Sequence, residues 1–459
     1  MQKPGQILKH RNKIESSVYI ILFAIISACY WYLFRYFRYT DLETITKWGY
    51  EVCDLIRIGK FHDIYAFLAE NTRDAVGPPV GTNYICLLPI AIWTFPAWLI
   101  NGGSRNLSIP QWGYLWTELL YVLCAGLMVF FIIEIVKTVR GSVQKLEKIQ
   151  IALLIFASPE LILSIAYAGQ DEIVYLFFFF WGLYYFLSKR NMRAFIILSM
   201  ISISLCPLML LPYVVIILIC EKRIARIMLY GVFSLLPGTI VDIAHRHDEA
   251  FSKLKVTAWA TVLLNNQVIQ ITGLSVSVIA MLLALILICC YFKANYNYKA
   301  GENVCGPIWI MSMAVIVFCI LSGDHFYRFF IYVPFMIILI FQTESNRNAM
   351  LFFYFMLQCG RTIQCIFANG RQVLNAKYAI ADITNNANIS QVILGLRPGL
   401  ESFDGLVGAL IMVSSIVILY MTSRDNQQEY TLNIKPVYSV IGCCIIMPLI
   451  IGLCMKFIL

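Results

Sequence analysis

From Ser17 to Phe34 the sequence runs without a single charged residue, and apolar runs return along its whole length. They fall at 17–34, 113–136, 149–166, 171–188, 194–206, 207–220, 227–243, 275–292, 305–321, 327–341, 349–365, 405–421 and 437–457. An α-helix satisfies its own backbone hydrogen bonds, so it is the form in which such a run can enter a bilayer. A straight crossing takes about 20 residues. Several of these runs are shorter, and those at 194–206 and 207–220 read as two half-helices joined at Pro207. The expected fold class is all-α: a polytopic transmembrane helical protein of about 13 spans.

Composition supports that reading. With 60% hydrophobic residues, 13% charged residues and a mean hydropathy of +0.75, the chain carries more apolar side chains than a water-soluble fold could cover. The formal charge of +9 is spread too thinly to imply a nucleic-acid partner. It serves instead as a topology signal, with the lipid bilayer as the implied partner. Most of the 15 Cys lie inside apolar runs (Cys124, Cys220, Cys289, Cys290, Cys319, Cys443, Cys444), and no Cys-x-x-Cys pair occurs. They read as small buried hydrophobes rather than disulfide partners or metal ligands.

Lys3, Lys9, Arg11 and Lys13 precede the first run, and no small-residue cleavage site follows it. A retained first helix with a cytoplasmic N-terminus is expected. The segment 84–100 is apolar but interrupted by Pro89 and Pro96. Counting it as a crossing would put Lys137–Lys148, Lys189-Arg190 and Lys222-Arg223 outside, so it is read as re-entrant or interfacial. Three segments then share the outer face: 35–112, 244–274 and 360–405. In the first, Ile45, Trp48, Val52 and Leu55 recur at helical spacing, with Lys47, Glu51, Asp54 and Arg57 between them. That pattern predicts an amphipathic helix lying in the headgroup layer. The chain divides into a module at 1–220, including the loop 35–112, and a second at 221–459.

Asp41 and Glu43 stand just past the first span, near the outer water–lipid boundary. A catalytic base needs such a place, partly desolvated yet open to a hydroxyl substrate. The alternative is that Asp41 merely caps the helix that follows. Gly169-Gln170-Asp171-Glu172 forms a turn between two later spans, so its acids sit at the membrane surface. Glu160 lies within an apolar run, where an acid costs about 2.5–3.5 kcal/mol on insertion scales and faces a cavity or a partner. At another outer boundary, Asp324-His325-Phe326-Tyr327-Arg328 offers a guanidinium that can fork onto a phosphate. Arg361, Arg371 and Lys377 add cations. Asp242, His245, Arg246, His247, Asp248 and Glu249 read as a solvated loop rather than a metal site. The outer-face acids could still bind a divalent cation.

Taken in order, these features resemble the GT-C superfamily of integral-membrane glycosyltransferases, with the nearest likeness to glycosyltransferase family 87 and GPI mannosyltransferase I. The residues that carry the resemblance are the basic first span leading into Asp41, the amphipathic helix, Gly59-Lys-Phe-His-Asp-Ile-Tyr65, the Pro-containing stretch Asn83–Trp98, and Ser158-Pro159 followed by Gly169-Gln170-Asp171. The C-terminal half matches loosely, through Asp324 to Arg328. The resemblance implies an inverting transfer from a polyprenyl-phosphate-linked sugar donor to a glycan or protein acceptor. Asp41, with Glu43 beside it, would take the acceptor proton. Arg328, with His325 or Arg361, would stabilise the leaving phosphate, and Gln170, Asp171 and Glu172 would hold sugar hydroxyls. This chain departs from the family at Cys206-Pro207, where a cation is common, and in the spacing of Asp171 from Gly-Gln.

Two other classes fit part of the pattern. A lipid-linked oligosaccharide flippase would explain the number of spans, but it would line a central path with charge and show two-fold repeats. A polysaccharide polymerase or ligase would share the long outer loops. The expected compartment is a bacterial plasma membrane with the site on its extracytoplasmic face, with the lumenal face of the endoplasmic reticulum as the alternative.

Overall fold

The computed structural model describes residues 4–38, 40–66, 84–103, 108–254, 268–271, 274–292, 297, 304–321, 330–368, 377–378, 405–423 and 435–458. These residues are almost entirely helical. Among the described residues, three helices are long and apolar enough to cross a membrane: Glu15–Arg35, Gln111–Arg140 and Ile224–Ala244. A fourth crossing results if the helices Lys145–Phe156 and Pro159–Ala166, bent by 52° at their junction, form one span. Eight further apolar helices have only 10–17 residues, a rise of about 15–26 Å against a hydrocarbon core of about 30 Å. Breaks within the sequence explain some of this shortness. The 194–220 stretch divides at Cys206, whose extended backbone (φ −144°, ψ 113°) is the conformation a residue before proline favours. The segment 84–100 forms a 3-10 turn and then a helix of 13 residues, Leu88–Ile100, about 20 Å long.

The structure groups into two units, each discontinuous in sequence and each drawing on residues either side of 220. One comprises 1–37, 132–167 and 325–459. Within it, α1 (Pro4–Tyr36) runs alongside the helix Lys145–Phe156. Gln150 donates to the Tyr19 hydroxyl at 2.8 Å, and the Tyr30 hydroxyl donates to the Phe156 carbonyl at 3.1 Å. At the centre, every residue of the helix Tyr332–Gln342 is buried. A helix that is apolar all round is stable only in such surroundings. Helices Arg347–Ala368 and Pro436–Ile458 pack against each other in the same unit.

One end of this unit is closed by charge. Arg140 and Arg347 both close on the Glu147 carboxylate, and Arg140 also donates to the Phe341 carbonyl at 3.4 Å. Glu147 accepts from the Gln144 backbone N–H at 2.8 Å, completing a capping box at the start of its helix. Four helix ends therefore meet at a single carboxylate.

The other unit comprises 38–131 and 168–324. Its α2 (Thr40–Arg57) packs on the helix Leu88–Ile100. Gly49 permits the approach, because a Cβ there would stand 2.7 Å from Thr94 Oγ1. The Cys53 thiol donates to the Ala91 carbonyl, and Thr46 donates to the Thr117 hydroxyl. Trp93 and Trp116 stack at 5.1 Å, each indole donating to the other's backbone carbonyl. The amphipathic pattern of α2 holds for Trp48, Val52 and Leu55, which are buried, and for Lys47 and Arg57, which are exposed. Glu51 and Asp54 differ from the expected polar face: both are buried, with Asp54 paired to Arg57 at 2.8 Å and Glu51 3.9 Å from Lys47. Elsewhere in this unit, Lys222 donates to the carbonyls of Leu218, Cys290 and Tyr291 at 3.0, 2.9 and 2.6 Å. It thus satisfies the C-termini of two helices with one cation. The helix Ile224–Ala244 exposes Met228, Val232 and Ile243 by more than 60% each, apolar surface suited to lipid.

Glu147→Ala would strand two largely buried guanidinium groups. Removing one partner from a buried charge network costs about 3–5 kcal/mol, so the purified variant should melt well below wild type in detergent. An unchanged melting temperature would show that the cluster is not holding the helix ends.

Candidate functional site

Ser158 opens the chain leading to the turn. Its hydroxyl accepts from the Leu161 N–H and caps the short helix Pro159–Leu161. The next seven residues, Ile162–Ala168, form a π-helix, a wide helical form found disproportionately at functional sites. It ends at Gly169, with φ +63°. A Cβ at Gly169 would lie 2.5 Å from Leu42 Cβ and 3.0 Å from Leu42 Cα. Glycine is required here for its left-handed backbone and for its missing side chain.

That contact brings the turn onto the head of α2. The Gln170 side-chain amide donates to Asp41 Oδ2. The helix begins at Thr40, so Asp41 lies inside the first turn, where a carboxylate complements the helix dipole. An amide on one oxygen fixes the plane of the carboxylate. Glu43 is two residues on, about 200° around the helix, and does not share that face with Asp41.

Further polar groups of this unit gather near the turn. Asp171 and Glu172 lie within electrostatic reach of the Tyr121 hydroxyl, as does Glu118. They also reach Cys206, whose thiol hydrogen-bonds Tyr175. Glu118, Gln170 and Glu172 are buried and Asp171 is partly so. The first turn of α2, the helix Gln111–Arg140, the turn 169–171, the helix Glu172–Lys189 and the break at Cys206 thus all contribute. Tyr121, Tyr175 and Glu118 were missed in the sequence, where Cys206 stood out only as part of the Cys206-Pro207 break. Only Glu118 left a signal there, as an acid inside the apolar run 113–136. In α2, burial holds the Cys53 thiol up at about 11 and the Tyr50 hydroxyl at about 12, so neither supplies an anionic nucleophile at neutral pH.

Other expected residues fall elsewhere. Arg361 lies within the helix Arg347–Ala368, which continues well past 360, where an outer segment was expected to begin. The residue is buried over the Tyr332 ring, at 5.4 Å, in the unit that also holds Glu160. Glu160 accepts from the Tyr332 hydroxyl at 2.5 Å, so its partner is a neighbouring helix. Asp324, His325, Arg328 and Arg371 lie outside the described residues. Of the expected loop at 242–249, Asp242 ends up in the helix Ile224–Ala244 and only 245–248 is a turn, where Asp248 caps the helix Glu249–Leu254 by accepting from the Ala250 and Phe251 N–H groups. The His245 ring packs on Tyr65 at 4.6 Å. Among the described residues no group of three His, Cys, Asp or Glu could hold a metal ion. No protein-family model, curated protein or solved structure matches this chain.

Gly169→Ala should force the turn away from Leu42 and cost more than the roughly 1–2 kcal/mol of a left-handed non-glycine residue. The extra loss should shrink when Leu42→Gly is the background, because the two nearest clashes are with Cβ and Cδ1 of Leu42. Equal losses in both backgrounds would show that Leu42 does not set the requirement for glycine.

Proposed function

We propose that the protein is an inverting glycosyltransferase of the GT-C kind. It moves a sugar from a polyprenyl-phosphate donor to a hydroxyl of a surface polysaccharide, a lipid-linked glycan or a protein. The observation that carries this reading is the hydrogen bond from Gln170 to Asp41, which orients a carboxylate just beyond a helix able to cross a membrane. Asp41 takes the proton as the acceptor oxygen attacks the anomeric carbon. The bond from that carbon to the phosphate oxygen breaks, and polyprenyl phosphate leaves with the electron pair. Asp171 and Glu172 hold hydroxyls of donor or acceptor. Arg361 is engaged beside Tyr332 and takes no part in the reaction.

We place the reaction on the extracytoplasmic face of a bacterial plasma membrane, with a cytoplasmic N-terminus and about 13 crossings. Two features support that scheme. The Glu147 cluster joins the loops at 141–144 and 343–346 at one end of its unit, and the scheme puts both loops in the cytoplasm. Lys222 likewise joins two helix C-termini, at Cys220 and Phe292, that the scheme puts on the cytoplasmic side.

One observation favours the flippase reading instead: the buried Glu160 beside a bent helix pair, since broken helices with buried charge recur in transporters. A single experiment separates the two. Protein in nanodiscs is offered a panel of polyprenyl-phosphate sugars, and release of polyprenyl phosphate is followed. Asp41→Asn should lower that release by about 10²–10⁴-fold, the usual worth of a positioned base. Undiminished release would move the base elsewhere. No release by wild type, together with passage of a lipid-linked glycan across liposomes, would favour the flippase.

A further inference from the structure

A second polar cluster lies in the other unit and does not depend on the reading above. Three residues of the helix Arg347–Ala368, Tyr354, Gln358 and Arg361, are spaced to share one face. Glu160 and Tyr332 face them from two other helices. Arg361 lies within electrostatic reach of the Glu160 carboxylate and sits over the Tyr332 ring. The Tyr354 hydroxyl lies within reach of Glu160 and Tyr332. Arg361 is about 21 Å along its helix from Arg347, which marks the charged end of the unit. That depth is well inside a hydrocarbon core of about 30 Å.

The cluster is incomplete as it stands. Glu160 Oε2, Tyr354 Oη and both amide atoms of Gln358 are buried and make no hydrogen bond of ordinary geometry among the described residues, and the Gln358 amide stands close to the Glu160 carboxylate. All three residues are no more than 1% exposed. A buried polar atom left bare carries its full desolvation penalty. The Gln358 amide nitrogen can meet Glu160 in part, and the Tyr354 hydroxyl and the Gln358 amide oxygen still call for a ligand. Their chemistry limits what that ligand can be. A cation would meet Arg361 and could not accept from the Gln358 amide, while an anion would meet Glu160. The carboxylate and the amide oxygen need donors, the amide nitrogen needs an acceptor, and the tyrosine hydroxyl can serve as either. A small neutral group that both donates and accepts satisfies all of them.

We propose that Glu160, Tyr354 and Gln358 form an internal hydration site, holding ordered water beside Arg361 within the apolar interior of the unit. Buried water is commonly retained where it makes two to four such bonds.

The test is X-ray radiolytic footprinting of the full chain in nanodiscs, prepared in ¹⁸O-labelled water. Radicals formed from bound water oxidise the side chains beside it even where bulk water is excluded. Tyr354 should be labelled several-fold faster than Tyr213, which is equally buried but whose hydroxyl donates to the Tyr230 carbonyl. Equal protection of the two would overturn the proposal. A second measurement reads the same point through stability. If the site is dry, Tyr354→Phe with Gln358→Leu removes bare polar atoms and raises the melting temperature. If it is hydrated, the pair removes satisfied ones and the melting temperature falls. A rise would overturn the proposal whatever the footprint.

Discussion

An apolar chain can keep a charge inside only where another charge, a dipole or a hydrogen bond meets it, and the described structure is organised around the few places where this happens. Glu147 gathers two arginines and four helix ends. Lys222 gathers the carbonyl ends of two helices. Glu160 is met by Tyr332 and Arg361, and Asp41 by Gln170. Between these points the helices need little more than apolar contact, which fixes no particular register. The polar contacts supply the register.

The candidate site follows from the same constraint applied to backbone. A helix cannot stop in apolar surroundings without leaving carbonyls and amides bare. The chain from Ser158 to Gly169 handles its interruption in steps: a capped start, a short helix, a π-helical stretch and then a left-handed glycine. The glycine both ends the segment and permits the approach to Leu42. Placement of Gln170 on Asp41 is thus a consequence of how the helix terminates.

Much of the helical framework was legible in the sequence because apolar run length and proline position act locally. The uncharged run from Ser17 became part of one long helix, and Pro89 and Pro96 marked a segment that forms only 13 helical residues. The break at Cys206-Pro207 was readable for the same reason. What stayed hidden depends on neighbours distant in sequence. Glu51 and Asp54 look solvated by spacing, but both are buried. Arg361 looks like a loop cation, yet it is buried with Tyr332. Asp41 and the Gly-Gln turn could be singled out, but nothing in their spacing showed that Gln170 would hydrogen-bond Asp41 itself. Tyr121 and Tyr175 were invisible among the many other aromatic residues.

A double-mutant cycle on polyprenyl-phosphate release tests most directly whether Gln170 acts through Asp41. Gln170→Ala alone should slow release by about tenfold, the worth of one hydrogen bond to a charged group. In an Asp41→Asn background the same substitution should cost almost nothing, because the group it orients no longer accepts a proton. Penalties that simply multiply would contradict the account, since Gln170 would then act on the reaction independently of Asp41.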